Sequence, residues 1–113
     1  MSPLTTHVLD LRLGQPAAGV AATLEKQDVL GSWHRMANGV TNNDGRIADM
    51  LAEGALAPGT YRLTFAVGEY FAVQEVEHFY PQVTIDFNVA DASLHYHVPL
   101  LLSPFGYSTY RGS

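Results

Sequence analysis

The chain has 113 residues, no cysteine and a formal net charge of −5, with 6 Lys and Arg residues against 11 Asp and Glu residues. This length predicts one domain, residues 1–113, with a core of its own. The charge argues against binding to nucleic acid or to an anionic membrane surface, since either needs a basic patch. A sequence without cysteine excludes a disulfide framework, a thiolate nucleophile and a zinc site built on Cys.

The sequence shows no export or membrane signal. Its first ten residues lack the basic and apolar regions of a signal peptide. The longest apolar stretch, residues 98–102, is too short to span a bilayer. These features predict a cytoplasmic protein.

Turn-forming residues interrupt the chain at short intervals, and the segments between them are rich in Val, Leu, Thr, Tyr and Phe. This pattern is typical of an all-β sandwich or barrel of antiparallel strands. The predicted strands are Thr5–Leu11, Val20–Lys26, Trp33–Ala37, Arg46–Ile47, Gly59–Val67, Gln82–Val89, Leu94–Leu102 and Tyr107–Arg111. The exception is Glu69–Val76, where apolar residues recur at helical spacing and an acid stands near the start. This segment predicts a short helix.

The predicted strand at 94–102 has an unusual outward face. Because side chains alternate along a strand, His95 and His97 lie on the same side, away from the core. Pro99 and Leu101 share that side and make it too apolar for full contact with water, which predicts an interface or a pocket wall. Pro99 also cannot donate to a neighbouring strand and therefore predicts a bulge or a local break.

Two imidazoles at positions i and i+2 of a strand lie about 7 Å apart, which suits a substrate pocket or a metal site. A metal would need a third ligand, and His7 in the first predicted strand would have to supply it. We therefore favour a pocket that holds no metal. The other two histidines, His34 and His78, are interpreted as surface or packing residues.

The chain contains neither a nucleotide-binding glycine fingerprint nor a Gly-Xaa-Ser-Xaa-Gly elbow. Two cationic positions are of interest instead. Arg46 follows a strong turn signal, and the end of the chain combines an aromatic ring, a guanidinium and a flexible glycine in residues 110–113. An enzyme of this composition would use imidazole and guanidinium for hydrolysis or proton transfer on a carbonyl-rich small molecule.

Three segments carry a family pattern, namely Leu4–Asp10 with the following Gly-Gln-Pro-Ala at 14–17, Asn43–Arg46, and His95–Ser113. Over nearly its whole length the chain resembles the transthyretin-related 5-hydroxyisourate hydrolases. The closing Tyr-Arg-Gly-Ser tetrapeptide separates these hydrolases from transthyretin, the hormone carrier with the same fold. No motif position departs from the pattern.

The resemblance implies a transthyretin-like β-sandwich of two four-stranded sheets with one short α-helix. It implies a homotetramer, a dimer of dimers, with active sites in the channel where the dimers meet. The implied reaction is hydrolysis of 5-hydroxyisourate, the product of urate oxidation, to 2-oxo-4-hydroxy-4-carboxy-5-ureidoimidazoline (OHCU), without a metal or organic cofactor. The family's catalytic residues correspond to His7, Arg46 and His97. Its substrate-binding residues correspond to His7, Arg46, Tyr110, Arg111, Gly112 and Ser113.

For this chemistry we expect a neutral imidazole, of His7 or His97, to act as the general base. Positive charge from Arg46 and Arg111 would lower its pKa, and Arg46 would bind the substrate carbonyl or the developing oxyanion. Spacing alone does not choose between the two histidines, nor does it say whether His95 supports or replaces its neighbour. Ser113 as a covalent nucleophile is a less favoured alternative, because nothing in the sequence fixes a base beside it.

Two other functions are compatible with the same residues. The first is a non-enzymatic, transthyretin-like carrier of a small aromatic ligand in the same channel. A channel lined by histidine and arginine argues against it, because an apolar ligand would leave those polar groups desolvated and unpaired. The second is a histidine-lined metal-binding sandwich.

Overall fold

The computed structural model describes residues 2–113 as two β-sheets packed face to face with one short helix, which confirms the predicted all-β sandwich. The strands are β1 Leu4–Asp10, β2 Gln15–Pro16, β3 Ala21–Gln27, β4 Trp33–Val40, β5 Arg46–Ile47, β6 Gly59–Phe65, β7 Val83–Val89, β8 Tyr96–Ser103 and β9 Gly106–Thr109, and the helix is α1 Val67–Ala72. No helix in the described part of the chain has the length and apolar character needed to cross a membrane.

The two sheets differ in their strand pairing. The first has the order β2-β1-β8-β9, with β5 also paired to β1, and the second has the order β4-β3-β6-β7. The first sheet therefore has five strands rather than the expected four, because the two-residue strands β2 and β5 both pair with β1. The pairing of β1 with β8 is parallel, although the sequence pattern predicted antiparallel strands. No tight turn joins these two strands, so no hairpin sets their relative direction.

The core lies between the sheets and is built by alternation. Residues of β1 are buried and half-buried in turn. Its inward Val8 and the inward Leu100 of β8 meet Leu24, Leu63 and Phe65 of the second sheet, all fully buried. Burying one such side chain contributes about 1.5–3 kcal/mol. The inner faces thus hold the sandwich together, and the outer faces are available for other contacts.

The helix is displaced from its predicted position. It begins at Val67 and ends at Ala72, instead of spanning Glu69–Val76, and the chain then turns through Glu75 at a positive φ of 57°. The predicted acid lies in the first turn, as expected. Tyr70 in this helix donates a 2.7 Å hydrogen bond to the fully buried carboxylate of Asp10. This contact ties the helix to the end of β1.

The predicted break at Pro99 occurs on one edge of β8 only. Pairing with β1 continues through Pro99 without a shift, so no bulge forms there. On the opposite edge, pairing with β9 stops at Leu100 and Thr109 and resumes at an isolated bridge between His97 and Gly112. The Pro99 carbonyl faces this second edge, where it accepts a hydrogen bond from the Thr109 hydroxyl. The missing proline N–H belongs to the same edge, which explains the interruption.

Candidate active site

The outer face of the first sheet carries the predicted histidines. Thr5 and His7 are the half-buried, outward residues of β1. The parallel register places Thr5 beside His97 and His7 beside Pro99. Because neighbours in register share a face, His7 and His97 lie on the same outer face. The expectation that His97 points away from the core is confirmed, and His7 lies on the same face.

A tight turn places Arg46 on this face. The side-chain oxygen of Asn42 accepts a 3.0 Å hydrogen bond from the backbone N–H of Arg46. Gly45 has a φ of +73° and packs against β1 so closely that a Cβ would not fit, so glycine is required on both grounds. The turn leads into β5, where Arg46 is exposed and lies directly opposite His7.

The imidazole of His97 is held between two neighbours. On one edge, its Nδ1 lies 2.8 Å from the Thr5 hydroxyl oxygen. On the other edge, Gly112 donates a 2.8 Å backbone hydrogen bond to the His97 carbonyl. A Cβ added at Gly112 would lie 2.5 Å from Cδ2 of the His97 ring, closer than real Cβ contacts allow. Gly112 therefore serves as a flat packing surface for the ring.

Three of these groups, Thr5, Arg46 and His97, border a cleft of about 280 Å³, here called the His97 cleft, whose lining is Thr5, Thr6, Arg46, Ala48, His95, His97 and Ser113. His7 and Gly112 are not among these lining residues. The cleft thus contains the imidazole of His97 in β8, the imidazole of His95 just before this strand, the guanidinium of Arg46 and one residue of the closing tetrapeptide. A larger groove of about 480 Å³ beside α1 has neither histidine nor arginine in its lining. Chemistry rather than size identifies the His97 cleft as the candidate active site.

The surroundings of His97 favour a neutral ring. Burial lowers its pKa below the ordinary value of 6.5, and electrostatic interactions with His7, His95 and Arg46 lower the pKa further, while a backbone hydrogen bond with Thr5 raises it. An imidazole with a lowered pKa is unprotonated near pH 7, as a general base must be. The expected effect of Arg46 on the pKa is therefore confirmed.

Arg111 is not where the sequence analysis placed it. Its Cζ lies 4.7 Å from the ring centroid of the inward-facing Tyr96, in a cation–π contact on the other side of β8 from the imidazoles. Arg111 and the exposed Tyr110 line a second groove of about 240 Å³, bordered by β7, β8 and the tail, whose lining also includes His97. Arg111 is not among the groups that lower the pKa of His97, although this effect was expected. The expected position of Arg111 beside the His97 ring is wrong because side chains alternate along the tail, and Gly112 takes the outward position. A role of Tyr110 and Arg111 in substrate binding stays a prediction.

His95 is exposed and stacks beside His97, with ring centroids 6.5 Å apart and an interplanar angle of 19°. Its Nε2 lies 3.1 Å from the Thr5 hydroxyl oxygen that also contacts His97. Sequence analysis missed Thr5. The available signal was its position two residues before His7 in the same strand, which places both side chains on one face.

The remaining histidines lie elsewhere, as predicted. His34 is exposed and makes a 2.6 Å contact with Asp28. His78 stacks on the buried Phe71 at 5.9 Å. Within residues 2–113, no cluster of three or more His, Asp or Glu side chains has the arrangement of a metal site.

The fold and the cleft together define a transthyretin-like β-sandwich that carries a histidine–arginine site on an outer sheet face. The HIUase/Transthyretin family model matches residues 4–112, and the chain belongs to this family. It is 50% identical over 115 residues to 5-hydroxyisourate hydrolase 2 of Rhizobium meliloti, an alignment that covers 97% of this chain and 95% of that protein.

Two solved structures share the fold. The 5-hydroxyisourate hydrolase of Klebsiella pneumoniae has a TM-score of 0.85 and 41% identity, covering 97% of this chain and 98% of that one. The transthyretin of Sparus aurata has a TM-score of 0.94 and 32% identity, covering 99% and 97% of the two chains. The hydrolase is nearer in sequence and the transthyretin superposes more closely. Backbone shape therefore does not choose between their functions, and the residues of the cleft must do so.

Proposed function

We propose that this chain hydrolyses 5-hydroxyisourate to OHCU, a step of urate degradation. The carrying observation is an imidazole of lowered pKa, His97, in one cleft with Arg46 and Ser113. The names of the relatives supply the substrate, since two similar proteins are 5-hydroxyisourate hydrolases. The proposed reaction needs water and no cofactor.

In the proposed mechanism, His97 takes a proton from a water molecule as that water attacks the lactam carbonyl carbon of the six-membered ring. The carbonyl electron pair moves to oxygen, and Arg46 stabilises this oxyanion with its planar N–H donors. The tetrahedral intermediate then collapses and the ring C–N bond breaks. The proton held by the imidazolium passes to the leaving nitrogen, and a carboxylate and a ureido group result.

We assign the base to His97 rather than to His7. The lowered pKa and the fixed ring support His97 in this role. His7 lies opposite Arg46 in the neighbouring strand, where both side chains would bind the substrate's polar edge. Gly112 acts through the His97 ring, and Ser113 lines the same cleft.

We further propose that the domain of residues 1–113 works as a homotetramer, a dimer of dimers. The outer face beside the cleft includes the half-buried Leu101 and the exposed, stacked His95. A mixed apolar and polar face of this kind is characteristic of an interface, and symmetric closure would exclude bulk water from the reaction. Sedimentation of the purified protein tests the assembly. A location in the cytoplasm stays a prediction.

The competing proposal is a carrier of a small aromatic ligand, which the close superposition on a transthyretin favours. The lining of the His97 cleft argues against it. An apolar ligand there would bury the exposed Arg46 and the two imidazoles without giving them hydrogen bonds. The hydrolase accounts for these residues and the carrier does not.

The test generates the unstable substrate with urate oxidase and follows the decay of its absorbance with and without the protein. We expect the decay rate to rise in proportion to protein concentration, with heat-denatured protein as the control. Carbon-13 NMR of the mixture should show OHCU as the immediate product. A decay rate independent of the native protein would overturn the proposal, and saturable ligand binding without acceleration would favour the carrier.

A further inference from the structure

We propose that Thr5 is a positioning residue whose hydroxyl, shared between His95 and His97, selects the His97 tautomer that carries its proton on Nδ1. That tautomer leaves the other ring nitrogen, Nε2, free to take a proton from water. The catalytic meaning of this inference rests on the proposed function. The tautomer itself is a property of the protein without substrate.

The geometry limits how the three groups can bond. The Thr5 hydroxyl oxygen lies 2.8 Å from Nδ1 of His97 and 3.1 Å from Nε2 of His95. A hydroxyl group has one proton to donate and two lone pairs. It therefore cannot donate to both rings, and to keep both hydrogen bonds at least one ring must donate to it. The β-branched Thr5 side chain is stiff at χ1, so the shared position is well defined.

Two observations orient the hydrogen bonds. First, burial is the largest cause of the lowered pKa of His97 and favours a neutral ring, which carries a single N–H. Second, Nδ1 is the ring nitrogen that lies 2.8 Å from the Thr5 hydroxyl, so a base that acts through Nε2 must carry its single proton on the side of Thr5. The ring proton therefore faces Thr5. His97 donates to the Thr5 hydroxyl, which in turn donates to His95.

This direction determines what His97 presents to the cleft. Its Nδ1 edge is taken by Thr5, and its Cδ2 edge packs against Gly112. The remaining nitrogen, Nε2, then has an unshared electron pair and acts as the base. In the opposite tautomer Nε2 would carry the proton and could not accept another, so the state of one nitrogen sets the function of the other. His95 contributes by accepting the proton of Thr5.

The first arm of the test uses NMR of ¹⁵N-histidine-labelled full chain at a pH above 6.5, without substrate. We expect wild-type His97 to show a protonated Nδ1 and an unprotonated Nε2. Thr5→Val removes the hydroxyl at similar volume and should give a mixture of tautomers, whereas Thr5→Ser should retain the wild-type state. Thr64→Val, on the outer face of the second sheet, is the matched control and should leave the His97 signals unchanged.

The second arm measures turnover of 5-hydroxyisourate by the same variants. We expect Thr5→Val to lower kcat about tenfold with little change in KM, the size expected when one hydrogen bond no longer selects the tautomer. Thr5→Ser should restore kcat. His95→Ala should lower kcat by less, and combining it with Thr5→Val should add nothing, because both substitutions release the same hydrogen-bond chain.

The results separate the two proposals. A wild-type His97 with its proton on Nε2, or a Thr5→Val variant with unchanged tautomer and kcat, would overturn the role of Thr5. If Thr5→Val does not fold, the role of Thr5 is still decided by the tautomer of His97 in the wild-type protein and by the change of that tautomer in His95→Ala. A wild-type protein that does not accelerate decay of 5-hydroxyisourate would overturn the proposed function, while the NMR arm would still decide the role of Thr5.

Discussion

The outer faces of the two sheets are built in opposite ways. On the second sheet, polar side chains bind one another across strands. Arg62 makes a bidentate ion pair with Asp86 at 2.7 and 3.0 Å, and its guanidinium lies 4.0 Å from the ring centroid of Trp33. Thr60 donates a 2.9 Å hydrogen bond to Asn88. The charges of Arg62 and Asp86 are therefore already paired where this face meets water.

On the first sheet, the corresponding groups are left for a ligand. Within residues 2–113, Arg46 takes part in none of the observed ion pairs. The pKa of His97 is lowered by burial and by its cationic neighbour Arg46 rather than raised by an acid, which favours a neutral ring. A guanidinium without an ion pair on one outer face, beside the paired Arg62 and Asp86 on the other, therefore indicates the functional side of this sandwich.

The largest loss of activity is expected from His97→Ala, a substitution on the outer face of the first sheet. Removal of a general base should lower kcat for 5-hydroxyisourate by about 10²–10⁴-fold, with the melting temperature nearly unchanged because the ring lies outside the core. His34→Ala, an exposed histidine of the second sheet, is the matched control and should keep wild-type turnover. Equal rates for both variants would contradict the assignment of the base.

The next largest effect is expected from Arg46→Met. Loss of the oxyanion donor should reduce kcat by about 10²–10³-fold, and Arg46→Lys should recover only part of it, since an ammonium lacks the planar pair of donors. Arg62→Met on the second sheet removes an equivalent charge and should leave kcat unchanged. Steady-state kinetics of the three variants check this expectation. A lower kcat for Arg62→Met than for Arg46→Met would contradict the assignment of function to the first sheet.

A smaller loss of activity is expected from a substitution of Gly112, which packs against the His97 ring. Gly112→Ala places a Cβ 2.5 Å from Cδ2 of His97, so the ring must move. A displacement of about 1 Å can cost about 10²-fold in rate, and we expect up to that loss in kcat. Gly106→Ala is the control, because its Cβ would meet nothing closer than 3.8 Å. A crystal structure with an unmoved His97 ring would contradict this explanation.

The smallest effect is expected from a pH series on the unmutated protein. It compares the pH dependence of activity at the first sheet with that of stability at the second. The pKa of His97 lies below 6.5, so kcat/KM should fall on the acid side with an apparent pKa below that value. Below pH 6.5 the unfolded chain binds this proton before the folded one does, so stability also falls slightly there. Asp86 has its pKa lowered below 3.8 by Arg62, so its stabilising contribution is present above 3.8 and lost only as pH falls further. Activity should therefore disappear before the second sheet weakens in thermal melts.

Sequence analysis was sufficient for properties that depend on alternation within one strand. The outward position of His97 and the inward position of Leu100 follow from the period of two. It was insufficient where a property depends on which strands become neighbours. The role of Thr5 follows from the parallel pairing of β1 with β8, and no local turn encodes that pairing. The position of Arg111 depends on how the tail passes the interruption at Pro99, which is again a matter of register.

The parallel pairing of β1 with β8 also has a kinetic consequence. It joins Thr5 to His97 across 92 residues of sequence, so the base is oriented only after a very long loop has closed. Closing such a loop is entropically costly and slow, whereas the β3–β4 hairpin of the second sheet joins residues near one another. During refolding, the far-ultraviolet signal of this hairpin should therefore return before hydrolysis does. Enzymatic turnover thus reports the moment at which the first and last thirds of the polypeptide come together.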